Sequence, residues 1–163
     1  MIGNGRVRAI EEYINVCESK GKNILYSDII YKKNEYELFD KWFKESLEPF
    51  RLFEGDYSYS VLLDQSNYQY DWVDENKINH PTYGDGHCYD QLFNDYLEKN
   101  FPELYSRLEF DSENGMFCVN CENKLDAEEV SYELSTLYKD ENKMIDLIKE
   151  TKNIYNYSFN INI

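Results

Sequence analysis

The chain is poor in the residues that usually build a catalytic or metal centre. It has two histidines, four cysteines and three prolines in 163 positions, and no run of 18 apolar residues. Without such a run no membrane span is encoded. The N-terminus has no basic stretch leading into an apolar one, so export is not expected and the sequence reads as cytoplasmic. The cysteines, at 17, 88, 118 and 121, are too few and too unevenly spaced for a disulfide scaffold, and a reducing compartment would keep them as thiols. Positive charge is scarce as well: 17 Lys and Arg face 32 Asp and Glu, a net charge of −15. Residues 1–48 are almost balanced, with eight basic and nine acidic side chains, whereas between Glu54 and Glu98 ten acids stand against Lys77 alone. A field of that sign repels nucleic-acid phosphates and anionic membranes and draws in basic proteins, so neither nucleic acid nor membrane is an expected partner.

Aromatic side chains are abundant. With 16 Tyr, 9 Phe and 2 Trp, the chain can fill one sizeable core and offset its ordering entropy, and its length suits a single domain over 1–163. Val7, Ile10, Ile14 and Cys17 recur at helical spacing ahead of Gly21. The run from Asn34 carries a capping-box pattern with Glu37 and an apolar stripe of Leu38, Phe39, Trp42 and Phe43 that ends before Pro49. Residues 1–48 thus read as a helical N-terminal extension.

Beyond Pro49 the period changes. Tyr57, Tyr59, Val61 and Leu63 alternate with Ser58 and Ser60, and Glu54-Gly55-Asp56 reads as the turn of a hairpin. Residues 64–87 show no clean period and read as a long loop with at most one short strand. Tyr89, Leu92, Phe93, Tyr96 and Leu97 then mark a buried helical face that Pro102 stops. Leu108–Phe110 and Met116–Cys121 flank the turn-forming "DSENG". Asp126 with Glu129 suggests the cap of a further helix with Val130, Leu134 and Leu137 buried, and "MIDLIKE" a short last one. The tail alternates Tyr155, Tyr157, Phe159, Ile161 and Ile163 with Asn and Ser, the pattern of a strand. The class is α+β: an antiparallel sheet of hairpins packed by amphipathic helices.

Cys118-x-x-Cys121 raises the question of redox or zinc chemistry. Low-pKa pairs of this spacing sit at helix N-termini, but this one lies in a strand pattern, where 118 and 121 face opposite sides, and no second ligand pair has zinc-like spacing. Buried, inert thiols are the plainer reading. In "GDGHCYD" a histidine next to Cys88 rarely reaches its neighbour's sulfur, and the segment reads as a turn entering a helix. No catalytic residue, cofactor or metal is assigned. The stretch "NYQYDWVDEN" differs in kind, since Tyr68, Tyr70 and Trp72 interleave with Asp71, Asp74 and Glu75. Either these aromatics anchor a basic partner, together with Asp85 and Asp90, or Trp72 packs in the core and the acids are solvated.

Two stretches, "YGDGHCYDQLFNDYLEKNFPEL" and "LEFDSENGMFCVNCENKLDAEEV", with "PFRLFEGDYSYSVLLD" before them, resemble the immunity protein 51 family of bacterial polymorphic toxin systems over about residues 50–150. Gly84 to Asp90 entering a helix, and Glu109 to Cys118 followed by a capped helix, carry the resemblance, which departs from the pattern at His87 and Cys88. It implies a small α+β protein, not an enzyme, that occludes the active site of a cognate toxin, and residues 49–163 as the immunity-protein-like region. Two other readings of the residues stand beside it: a small cysteine-dependent enzyme, and an adaptor whose C-terminal strand adds to a partner's sheet.

Overall fold

The computed structural model describes residues 2–70, 72 and 85–159, with Asp85 and 152–159 as backbone only. Helices α1 (Asn4–Ser19), α2 (Tyr26–Tyr31) and α3 (Lys33–Ser46) precede strands β1 (Arg51–Glu54) and β2 (Tyr59–Asp64). Helix α4 (Asp85–Asn100) and the one-turn α5 (Pro102–Tyr105) lead to β3 (Leu108–Phe110) and β4 (Met116–Cys121), and α6 (Lys124–Tyr138) and α7 (Glu141–Phe159) are the last described elements. The strands form one antiparallel sheet in the order β1-β2-β4-β3, so the two hairpins meet along β2 and β4. The fold is α+β.

Period-two alternation decides which face of the sheet is covered. Val61, Leu63, Phe117 and Val119 are fully buried and join Leu92, Phe93 and Leu97 of α4 with Val130, Leu134 and Leu137 of α6 in the main core. Aromatic rings lock it: Phe93 lies 5.0 Å from Phe117 and 5.7 Å from Phe50, and Tyr89 stacks on Phe93 at 5.5 Å. Such pairs add about 0.5–1.5 kcal/mol each to plain burial.

A second core joins α1, α2 and α3 to the outer side of α6 through Tyr132. Its layout explains why α6 is buried nearly all round despite three glutamates. Arg6 forks onto Glu128 at 2.8 and 2.9 Å, reaches Asp40 at 2.7 Å and lies 4.6 Å above the Phe43 ring. Burial opposes the guanidinium's charge, yet the carboxylates outweigh it and raise its pKa. Arg8 likewise pairs with Glu129 and Glu133. The helices approach closely because Gly5 has no side chain; a Cβ there would lie 2.8 Å from the Glu129 Cα.

Several elements depart from expectation. The buried face of α1 holds Arg6, Ala9, Ile10, Tyr13 and Cys17, with Ile14 packed half-buried at its edge and Val7 half-buried as well. Helix α3 begins at Lys33 with no side-chain cap, which leaves Asn34 exposed inside its first turn, and Leu38 is 50% exposed. Helix α6 is capped by Asn123, whose Oδ1 accepts from the Asp126 amide at 2.9 Å. The Asp126 carboxylate instead takes two 2.9 Å bonds from Arg107, and these hold its pKa below the usual range. The expected C-terminal strand is helical over residues 155–159, and residues 160–163 lie outside the described residues. Met144, Leu147, Ile148 and Thr151 bury one face of α7, and no Gly or Pro follows to stop a helix once it is formed. An adaptor strand at 155–159 is therefore corrected to a helix.

Candidate partner-binding surface

The two stretches that carry the resemblance meet in space through the first turns of α4 and the β3–β4 hairpin. The β3–β4 hairpin turns at Asn114-Gly115, the strongest short hairpin signal, and its ends exchange bonds between Glu113 and Met116 at 2.8 and 3.2 Å. The first amides of a helix have no intrahelical acceptor. Here the Gly86 amide in the first turn of α4 donates to the Asn114 carbonyl at 2.9 Å, so a turn in another part of the chain caps the helix. The approach is so close that a Cβ on Gly86 would fall 1.9 Å from the Glu113 carbonyl oxygen. On the same side Ser112 Oγ donates to Asp90 Oδ2 at 2.6 Å and accepts from the Cys118 amide at 2.9 Å. Asp90 is thus a tether between α4 and the hairpin as well as a surface charge.

The aromatic stretch is held from within. Trp72 is 5% exposed, its Nε1 donates to the Tyr138 carbonyl at 2.9 Å, and it belongs to the core. The Tyr138 hydroxyl accepts from the Tyr70 amide at 2.9 Å and donates to the Tyr70 carbonyl at 2.6 Å. Tyr68 is half-buried against Tyr89, at 5.1 Å between rings. Of the three aromatics, Tyr70, 48% exposed, presents the most surface to a partner. Asp85 opens α4. Asp71, Asp74 and Glu75 lie outside the described residues, in a segment whose flanks are fixed at Tyr138 on one side and Asn114 on the other. The meeting of the two stretches left one trace in the sequence, the pairing of a Gly-x-Gly with a distant Asn-Gly turn. The Arg6–Glu128 pair left another, an arginine on the apolar stripe of α1.

All four cysteines are buried. Cys121 faces the main core and Cys118 the opposite side of the sheet, as strand alternation requires. Burial pushes Cys121 up to about 12, and burial together with Asp111, Glu113 and Asp90 pushes Cys118 up to about 11. A thiol held protonated is a poor nucleophile and a poor metal ligand. Among the described residues no group of three or more His, Cys, Asp or Glu is placed to hold a metal, and no helix is long and apolar enough to cross a membrane. Alkylation of the native protein at pH 7.5 is expected to be slow at every thiol and to become fast on unfolding. One thiol reacting in the native state as fast as free cysteine would restore the enzyme reading.

The fold defines a class: a small α+β protein whose acidic, aromatic-rich segment has described flanks tied to Tyr138 and to the Asn114 turn. The immunity protein 51 family model matches residues 50–153, and the chain belongs to that family. The match starts at the sheet and leaves out α1, α2 and α3. No curated protein and no solved structure matches the chain.

Proposed function

We propose that this chain acts in the cytoplasm as an immunity protein that binds a cognate bacterial toxin of a polymorphic toxin system and occludes its active site, without a reaction or cofactor of its own. Family membership over residues 50–153 carries the reading. The charge distribution supports it: the matched region holds nearly all of the net −15. A nuclease-type toxin, whose groove must be cationic to hold phosphates, is the partner this field suits best.

The proposed contact surface runs from Tyr68 to Asp90. Tyr70 serves as the exposed anchor, Tyr68 and Trp72 hold the stretch against the core, and Asp71, Asp74, Glu75, Asp85 and Asp90 supply charge. Neutralising Asp71, Asp74 and Glu75 together, as D71N/D74N/E75Q, is expected to slow association about tenfold at low salt and to flatten its dependence on ionic strength. Stopped-flow binding to an inactivated cognate toxin measures both. Unchanged kinetics would remove this stretch from the interface.

A further inference from the structure

The sheet has a second face. Its register places Phe53, Ser60, Asn120 and Glu109 in one cross-strand row and Arg51, Leu62 and Cys118 in the next, with Asp64 opposite Met116 beyond them. These side chains point away from Val61, Leu63, Phe117 and Val119. Leu62 and Met116 are half-buried yet belong to neither core, and Phe53 is 53% exposed. The helices that contact the sheet, α4 and α6, share the main core with its other side, so among the described residues this face is bare. The wet face of an antiparallel sheet ordinarily reads polar. This one carries Leu62 and Cys118, the latter only 6% exposed, on its two central strands, Met116 at the start of β4 and Phe53 on the edge strand β1.

The charged groups around that strip are mostly acidic. The buried acids Glu128, Glu129, Glu133 and Asp126 each meet an arginine. Around the bare face stand Asp64, Asp90, Glu109, Asp111 and Glu113, and none of them is in an ion pair among the described residues. The face's own cation, Arg51, donates to Asn67 Oδ1 at 2.7 Å. An apolar centre inside a charged rim is the usual build of a protein interface, and the sign of the rim selects the partner. We infer that the bare face of the sheet is the docking surface for a segment of the toxin in which aliphatic residues are flanked by Lys or Arg, an inference that rests on the immunity reading. It extends the contact from Asp90 across β4 and β2 to Phe53.

The test is titration calorimetry of the folded chain against the inactivated cognate toxin, with three variants whose thermal melts confirm folding. E109K/D111K reverses two exposed charges on this face and is expected to weaken binding at least about tenfold. E11K/E18K makes the same change in net charge on exposed positions of α1 and is expected to stay within about threefold. F53S tests the apolar strip without touching charge and is expected to weaken binding several-fold. Equal loss in the two charge variants would mean that net charge alone matters, and wild-type affinity in E109K/D111K and F53S would place the interface elsewhere. Either result overturns the docking face and leaves the immunity reading intact, whereas no binding by the wild-type chain overturns both.

Discussion

Gly86→Ala is expected to be among the most destabilising single methyl additions in the protein, costing more than about 3 kcal/mol. In a chain of this length that lowers the melting temperature by roughly 6–12 °C. The clash is with backbone on both counts, 1.9 Å to the Glu113 carbonyl oxygen and 2.6 Å to the Met116 nitrogen, so no side-chain rotation relieves it. Helix α4 must withdraw from the hairpin, which also forfeits the Gly86–Asn114 bond and loosens the Ser112–Asp90 tether. The comparison variant is Gly3→Ala, whose Cβ would meet only the Leu125 side chain and Cα at 3.3 Å and beyond; it is expected to change stability by less than about 1 kcal/mol. Thermal denaturation of the pair measures the difference. If Gly86→Ala melted like Gly3→Ala, the helix–hairpin junction would not be as close as described here.

Arg6→Met is expected to cost about 3–5 kcal/mol. The reason is less the loss of the pair than the state of the carboxylate left behind. Glu128 is 5% exposed, and without the guanidinium it has no ion-pair partner among the described residues. Asp40 keeps Lys44 at 2.7 Å. Adding Glu128→Met to Arg6→Met removes the stranded charge and is expected to recover most of the loss. On this account residues 1–48 and the family-matched region unfold together as one domain, so a chemical denaturation curve for each variant has a single transition. A separate early transition in Arg6→Met would instead mark the N-terminal helices as an independent unit.

How much of this could be read from the amino-acid order depends on the range of the interaction. Both hairpins were legible because alternation and turn chemistry are local: Gly55 and Asn114-Gly115 sit between runs that alternate with period two. Helix α4 was legible from Tyr89 to Leu97 for the same reason at the helical period, and Pro102 marked its end. What escaped was set by tertiary partners. Helix α6 looks amphipathic through Val130, Leu134 and Leu137, yet Glu128, Glu129 and Glu133 are buried too, because arginines over a hundred residues earlier neutralise them. The short helix α2 carries no apolar period, and its N-terminus is closed by the Asp28 carboxylate accepting from the Leu25 amide at 3.0 Å. The tail alternates like a strand, but a helix already begun at Glu141 continues over residues 155–159.

The candidate surface shows the same division. The acids between Glu54 and Glu98 were visible as a charge run, and Trp72 was visible as either anchor or core. Its place in the core is decided by Tyr138, which no local pattern could indicate. The bare face of the sheet follows from the strand order, since only the pairing of β2 with β4 sets Leu62 beside Cys118 and Asp64 beside Met116.

The most direct test of the central claim is growth. Cells expressing a candidate cognate toxin, with and without this chain, are compared at matched expression, and the purified pair is titrated. The account predicts full rescue by the chain and a tight one-to-one complex. Persistent growth arrest in cells that contain the folded chain, with no complex in the titration, would contradict it.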